Sequence, residues 1–244
     1  MRIRAPLLLV MVSLGAMDAR ADPCAARVLQ GRNVVVCAVD LSRQSVRLLW
    51  KNERGEPYGT LRGIAGAASQ QGKPLLFAMN AGMYHHDLSP VGLYVENGVQ
   101  HAPLNTAGGP GNFHMRPNGV FYVAGGTAGV MESRAYQTRR QKVDFATQSG
   151  PMLVIGGKLH PRITGEGTSR KIRNGVGVRD GRTAFFVISD EAVTFTEFAK
   201  MFRDDLKTPN ALYFDGSISS LYAPSVNRAD GFMPVGPIVA AFGR

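Results

Sequence analysis

The sequence PLLFAMNAGMYHHD, residues 74–87, joins a continuously apolar run to a polar turn that contains glycine. The sequence ALYFDGSISS, residues 211–220, repeats this arrangement much later in the chain. Continuously apolar runs of this length predict β-strands that are buried on both faces. The polar residue that follows each run, Asn80 or Asp215, then lies at the end of a rigid strand, where a functional group keeps a fixed geometry. The alternative is that each side chain only hydrogen-bonds to turn amides.

Most other signals in the chain also predict strands, and several of them predict hairpins. Dipeptides that favour a left-handed backbone separate short apolar runs at three places. These dipeptides are Asn97-Gly98, Gly156-Gly157 and Asp180-Gly181. Together with the two buried strands they predict a twisted sheet that is mixed or largely antiparallel.

One helix is clearly marked. Thr194 and Glu197 form a capping box, in which each side chain satisfies a free backbone N–H of the other residue. Four apolar residues follow at helical spacing, and we interpret this stripe as core packing. The stripe is Phe195, Phe198, Phe202 and Leu206. The predicted fold class is therefore α+β, a single domain with a twisted mixed or antiparallel sheet and few helices.

The first 21 residues have the pattern of a cleavable secretory signal peptide. Arg2 and Arg4 precede an apolar run, and Ala19-Arg20-Ala21 supplies a small-x-small cleavage pattern. The apolar run is shorter than the roughly 20 residues that span a bilayer, so a retained anchor helix is the less favoured alternative. We predict a signal peptide over residues 1–21, one mature domain over residues 22–244, and a periplasmic or secreted protein without stable membrane insertion after processing.

The chain is basic, with 28 Lys and Arg against 18 Asp and Glu and a net charge of +10. Cleavage after residue 21 would remove three arginines and one aspartate and leave +8. The cations are scattered, and the densest group, residues 139–142, carries only three. We therefore predict no nucleic-acid partner and instead a phosphorylated or anionic glycan.

Cys24 and Cys37 are the two cysteines of the chain. An even number of cysteines without metal-type spacing predicts a disulfide in an oxidising compartment. Two free buried thiols are the alternative.

Three further segments combine glycine with polar or charged residues, and the last two of them lead into predicted strands. They are residues 112–119, with His114 and Asn118, residues 148–151, and residues 169–177. The last segment carries Arg170, Lys171 and Arg173, a cationic group suited to binding phosphate.

Four of these motifs, taken in order, resemble the phosphodiester glycosidase family, which includes the lysosomal "uncovering enzyme" and many exported bacterial proteins. The motifs are Asn80-Ala-Gly-Met, Gln148-Ser-Gly-Pro, Arg173-Asn-Gly-Val-Gly and Asp215-Gly-Ser-Ile-Ser-Ser. The resemblance runs from about Asn33 to the C-terminus. It places Asn80 and Gly82 on the family's Asn-Ala-Gly turn, Gly150 on its Gly-Pro step, and Asp215 on its Asp-Gly loop. Asn174 replaces a common Thr, and Ser217-Ile218 replaces two glycines.

The resemblance implies hydrolysis of a sugar-1-phosphodiester at the anomeric C–O bond. Arg173 is the predicted phosphate clamp, with Arg170 or Lys171 assisting. Asp215 is the first candidate for the catalytic carboxylate, and Asp190 or Glu191 is the second. Residues predicted to bind substrate are Asn80, Gly82, His86, His114, Asn118, Gly150, Arg170, Ser217 and Ser219.

The sequence predicts no cofactor, with a divalent metal at His85-His86-Asp87 as the alternative. Adjacent histidines on an extended segment point to opposite sides, which favours ordinary polar contacts over a metal site. A serine nucleophile at Ser219 or Ser220 is not favoured, because the Gly-x-Ser-x-Gly elbow is absent.

Two other function classes stay open. One is a non-catalytic envelope module that binds anionic or phosphorylated glycans. Ser217-Ile218 is bulkier than the two glycines that it replaces in the family motif, and this departure keeps a non-catalytic member as an alternative. The other is a structural or assembly factor that binds no small molecule.

Overall fold

The computed structural model describes residues 22–139, 142–163, 165, 167–231 and 233–243. The predicted signal peptide therefore lies outside the described residues. The strands are β1 (Cys24–Leu29), β2 (Arg32–Asp40), β3 (Gln44–Leu49), β4 (Leu75–Asn80), β5 (Tyr94–Glu96), β6 (Val99–Ala102), β7 (Gly119–Ala124), β8 (Thr127–Glu132), β9 (Phe145–Ser149), β10 (Met152–Ile155), β11 (Lys158–Leu159), β12 (Asn174–Arg179), β13 (Thr183–Ser189), β14 (Asn210–Asp215), β15 (Leu221–Ala223), β16 (Arg228–Ala229) and β17 (Ile238–Gly243). The helices are α1 (Leu61–Gln70), α2 (Ser133–Gln137) and α3 (Phe195–Lys200), which continues as a π-turn over Met201–Asp205.

The strands form three sheets. Sheet 1 has the order β1-β2-β13-β12-β14-β10-β11, sheet 2 the order β16-β15-β4-β17-β3, and sheet 3 the order β6-β5-β9-β7-β8. The strand pairings within these sheets are antiparallel. The predicted α+β class with few helices is confirmed. No described helix is long and apolar enough to cross a membrane.

The three sheets enclose one core. Phe186 of sheet 1 packs against Phe77 of sheet 2, with ring centroids 5.3 Å apart, and against Phe121 of sheet 3 at 5.6 Å. All three rings are fully buried. Helices α3, α1 and α2 cover the outer faces of sheets 1, 2 and 3 with smaller apolar clusters. Burial of this apolar area is the main favourable contribution to folding.

The local predictions agree with the structure. Strands β4 and β14 lie inside their sheets and are largely buried. The three hairpins form as β5–β6, β10–β11 and β12–β13, and both residues of each turn dipeptide have positive φ. The Thr194–Glu197 capping box opens α3. The stripe on this helix lies in the cluster that covers sheet 1, so its interpretation as core packing is confirmed.

Cys24 and Cys37 form the predicted disulfide. The two residues are direct register partners in the β1–β2 pair, so the bond links the first strand to its neighbour.

Candidate functional site

Arg173 is fully buried immediately before β12, and its guanidinium lies against Phe195 of α3. Its Nε donates to the Val193 carbonyl at 2.9 Å, and its Nη2 donates to the Ser169 carbonyl at 2.9 Å. Its Nη1 donates to the Tyr213 hydroxyl at 3.3 Å. The guanidinium carbon lies 3.7 Å from the centre of the Phe195 ring, in a cation–π arrangement.

No acidic side chain among the described residues pairs with Arg173. A guanidinium has five N–H groups, and the contacts above use three of them, so one N–H on Nη1 and one on Nη2 have no acceptor among the described residues. Burial lowers the pKa of Arg173 from its ordinary value. A buried cation without a carboxylate is costly unless an anion is supplied, which makes this position an anion-binding candidate.

The turn after β14 lies directly against this arginine. A side chain on Gly216 would place its Cβ 2.0 Å from the Tyr213 hydroxyl and 3.5 Å from Arg173 Nη1. Glycine is therefore required here for close approach. It brings the backbone that follows Asp215 next to the guanidinium.

Asp215 is held by its own turn. Its Oδ1 accepts hydrogen bonds from the N–H of Gly216 at 2.6 Å and of Ser217 at 2.8 Å. Burial raises the pKa of Asp215, although these backbone hydrogen bonds and the charge of Lys171 oppose the rise. Burial also raises the pKa of Tyr213, and the negative charge of Asp215 adds to that rise. The charge of Arg173 acts on the same Tyr213 hydroxyl in the opposite direction and lowers its pKa.

The predicted cationic group does not converge on one point. Arg170 forms a two-pronged ion pair with Glu197, with Nη1 and Nη2 at 3.1 and 3.3 Å from its carboxylate oxygens. Lys171 is exposed and lines a neighbouring cleft. Arg173 has its guanidinium against the turn at Gly216 and against Phe195 of α3. The three cations therefore serve different contacts.

The two second-choice carboxylates are both paired with arginines. Glu191 binds Arg32 at 3.1 Å and accepts a hydrogen bond from the Asn33 N–H. Asp190 binds Arg228, which is also held by Asp230. Asp190 faces the cleft, whereas Glu191 is directed to the start of β2.

An open cleft of about 710 Å³ lies beside the turn. Its polar lining comes from the turn and from facing loops: Lys171, Asp190, Ser217, Ser219, Ser220, Arg228 and Asp230. Ser217 is exposed there, while the Ser219 Oγ lies 3.1 Å from the Ile172 carbonyl oxygen and 3.0 Å from that of Asp215, either of which can accept its single hydrogen. Gly216 and Ser217 of this turn line the cleft, whereas Arg173 is fully buried and is not among the lining residues.

The remaining predicted substrate residues mostly support backbone. Asn80 is fully buried and binds the Ser220 N–H. Gly82 allows close packing, because a Cβ there would meet the Gln148 carbonyl at 2.4 Å. Gly150, at a cis bond to Pro151, packs in the same way against Asn118, whose Nδ2 donates to the Phe113 carbonyl.

The predicted histidines lie at the surface. His86 is exposed in the turn of residues 85–89, and His114 Nδ1 lies 3.0 Å from the Ala107 carbonyl. In the part of the chain that the structure describes, no group of three or more His, Cys, Asp or Glu residues is placed to hold a metal ion. The absence of a cofactor stays a prediction.

Sequence reasoning missed three residues of this site. Tyr213 accepts a hydrogen bond from Arg173 and lies two positions before Asp215 in β14, and no local signal marks it as a site residue. Asn112 forms a side-chain hydrogen bond with Tyr213, and Asn174 binds the Asp215 N–H. These two contacts join distant segments, and no local signal marks them.

The fold and this site together define a three-sheet antiparallel domain in which a fully buried arginine, paired with no acid among the described residues, lies against the turn that follows the half-buried Asp215. The family model for phosphodiester glycosidases matches residues 74–241. The chain belongs to the phosphodiester glycosidase family, as its motifs indicated, and membership implies a glycan-type substrate.

The chain is also similar to a curated protein in sequence and to solved structures in fold. The chain is 39% identical to the uncharacterized protein YigE of Escherichia coli (strain K12) over 218 residues, which cover 88% of this chain and 84% of that protein. Its fold is similar to that of the catalytic domain of zebrafish N-acetylglucosamine-1-phosphodiester alpha-N-acetylglucosaminidase, auto-inhibited by its pro-peptide. That match has a TM-score of 0.63 and 12% identity, and it covers 91% of this chain and 82% of the other. A Burkholderia pseudomallei K96243 protein classed as exported has a TM-score of 0.52 and 13% identity, over 86% of this chain and 74% of the other.

Proposed function

We propose that the protein is an exported hydrolase that cleaves the anomeric C–O bond of a sugar-1-phosphodiester. The observation that carries this proposal is the state of Arg173, a fully buried cation with no acidic partner among the described residues. A phosphate of the substrate would supply the missing negative charge. Asp215, on the adjacent turn, supplies a carboxylate close to where that phosphate would bind.

The reaction follows from these two groups. Water adds to the anomeric carbon, the bond from that carbon to the phosphate oxygen breaks, and the bond's electron pair leaves with the phosphate. The products are a free sugar and a phosphomonoester. Because a phosphodiester leaves as a stable anion, the proton donor of an ordinary glycosidase is less important. Arg173 stabilises the charge that develops on the phosphate, and ionised Asp215 stabilises the oxocarbenium-like carbon or activates the water.

Export is part of the proposal. The Cys24–Cys37 disulfide supports it, because disulfides persist mainly in oxidising compartments. The sequence pattern of residues 1–21 and the exported Burkholderia relative point the same way.

Isotope tracing tests the reaction. The purified mature chain is incubated with synthetic sugar-1-phosphodiesters in water enriched in oxygen-18, and the products are analysed by mass spectrometry. We expect the label at the anomeric oxygen of the released sugar. Label in the phosphate would show P–O cleavage and contradict the proposal. Binding of a sugar phosphodiester by calorimetry, without release of sugar, would favour the non-catalytic envelope module.

A further inference from the structure

Residues 215–220, which we call the crossing loop, connect two different sheets. The loop leaves β14 in sheet 1 at Asp215 and enters β15 in sheet 2 after Ser220. Its two ends therefore belong to separately paired strands. The shape of the loop, and with it the position of the Asp215 carboxylate, depends on how the two sheets are held together at this point.

Two buried asparagines hold the two ends. Asn174 of sheet 1 accepts a hydrogen bond from the Asp215 N–H at 3.0 Å through its Oδ1. Asn80 of sheet 2 accepts one from the Ser220 N–H at 2.8 Å through its Oδ1. The Asn174 Nδ2 donates to the Asn80 carbonyl at 2.8 Å and to the Asn80 Oδ1 at 3.0 Å. Both side chains are fully buried.

The orientation of the Asn80 amide is set by these contacts. Its Oδ1 faces two N–H donors, one from Ser220 and one from Asn174, so the opposite amide orientation would bring donors against donors. Its Nδ2 has no partner among the described residues. A buried donor without a partner is unfavourable, so Nδ2 does not hold the side chain in this position. The two hydrogen bonds that Oδ1 accepts therefore fix the orientation of Asn80.

The Asn174 contact lies at an irregularity in the ladder between β12 and β14. The register shifts between Asn174, opposite Asp215, and Gly175, opposite Tyr213. At this irregularity the side chain of Asn174, which lies on the inner face, reaches the Asp215 backbone. Movement of Asn174 would therefore be transmitted directly to Asp215.

We propose that Asn174 and Asn80 act as one unit of positioning residues, which spans the two sheets and sets the crossing loop, so that the Asp215 carboxylate is held in its working geometry and Gly216 stays against Arg173. The effect of the two asparagines on sugar release rests on the proposed function. Their effect on the conformation of the crossing loop does not. Neither asparagine contacts the substrate in this proposal. Asn80, predicted from the sequence to bind substrate, is instead assigned to hold the loop.

Hydrogen–deuterium exchange tests the mechanical part without any substrate. Asn174→Ala and Asn80→Ala are each expected to speed exchange of the amides of the crossing loop, residues 215–220, by about 10-fold or more. The interiors of β4 and β14 should stay protected. The double variant should be no faster than the faster single variant, since the pair acts as a unit. The control is Thr208→Val, which removes a buried hydrogen bond to the Phe202 carbonyl away from the loop.

Unchanged exchange in the crossing loop, additive effects in the double variant, or faster exchange across the whole chain as in global unfolding would each overturn the proposal. For the catalytic part, kcat is expected to fall by about 10- to 100-fold while KM changes less than about 3-fold. The acid limb of the kcat profile, which reports Asp215, should also shift. A change in KM alone would overturn the positioning role. If the wild type releases no sugar, the proposed function fails, and the exchange experiment still decides whether the asparagine pair holds the loop.

Discussion

At the scale of single residues, Arg173 has the least ordinary environment, because its charge is buried among neutral partners. Arg173→Met keeps much of the side-chain length and removes the charge. We expect sugar release to fall by about 10²- to 10³-fold. The melting temperature should be unchanged or higher, because an uncompensated buried charge is lost. Inorganic phosphate should raise the melting temperature of the wild type and not of the variant, and an equal rise in both would contradict the role of Arg173.

Asp215 gives a second prediction at this scale, because burial raises its pKa above the ordinary value of 3.8. The folded state holds this proton more tightly than the unfolded state, so stability present at low pH is lost as the pH rises through the folded pKa. Asp215→Asn keeps the oxygen that accepts the backbone hydrogen bonds and never ionises. We expect the variant to melt at a higher temperature than the wild type at neutral pH, and at an equal temperature below about pH 3.

The same substitution should abolish sugar release, and wild-type activity should rise with pH through the raised pKa of Asp215. Melting curves from pH 3 to 8 and the pH profile of kcat check both statements. Full activity of Asp215→Asn would remove this carboxylate from the mechanism.

Gly216 provides a steric test. In Gly216→Ala the new methyl group would collide with the Tyr213 hydroxyl, so the turn must move away from Arg173. A displacement of about 1 Å costs about 10²-fold in rate, which is the loss we expect. Gly66→Ala is the matched control, since a Cβ at this helical position meets nothing within 4 Å. A fully active Gly216→Ala would show that the close approach is not needed.

At the scale of elements, α3 is held in place by a charged cap. Partial burial alone would raise the pKa of Glu197, but hydrogen bonds from Thr194, Arg32 and Arg170 lower it from 4.5 to about 2. Its contribution to stability is present above the unfolded pKa and is lost as the pH falls towards 2. Glu197→Gln can still form the capping box but not the ion pairs.

We therefore expect Glu197→Gln to be less stable than the wild type by about 1 kcal/mol at neutral pH. The difference should shrink as the pH falls from 4.5 to 2. Melting temperatures of both proteins over this range check the prediction, and a constant difference would contradict it.

At the scale of the whole molecule, the three sheets depend on one another through the shared core. Phe186 contacts an aromatic ring of each of the other two sheets. Phe186→Ala should cost about 3–5 kcal/mol and lower the melting temperature in a single transition. Val28→Ala, at a position that is 67% exposed, is the control and should change little. Separate melting of one sheet would show that the core is not cooperative.

Elements that depend on near neighbours in the chain could be predicted from the sequence. The turns at Asn97-Gly98 and Asp180-Gly181 form because their residues tolerate positive φ, and the capping box of α3 lies within four residues. The division into three sheets could not be predicted, since strand order is set by long-range pairing that leaves no local signal.

The sequence by itself determined the fold class, the hairpins, the disulfide pair and the family, because each depends on local pattern or on motifs in a fixed order. The tertiary structure alone decided which partners the charged residues have. Arg170 and Arg173 lie three positions apart, yet one is paired with Glu197 and the other is buried without an acid among the described residues. The Asn80–Asn174 contact joins residues 94 positions apart. Which side chains meet at a sheet edge depends on how the sheets pack, so the Asp215 turn acquires its neighbours only in the folded molecule.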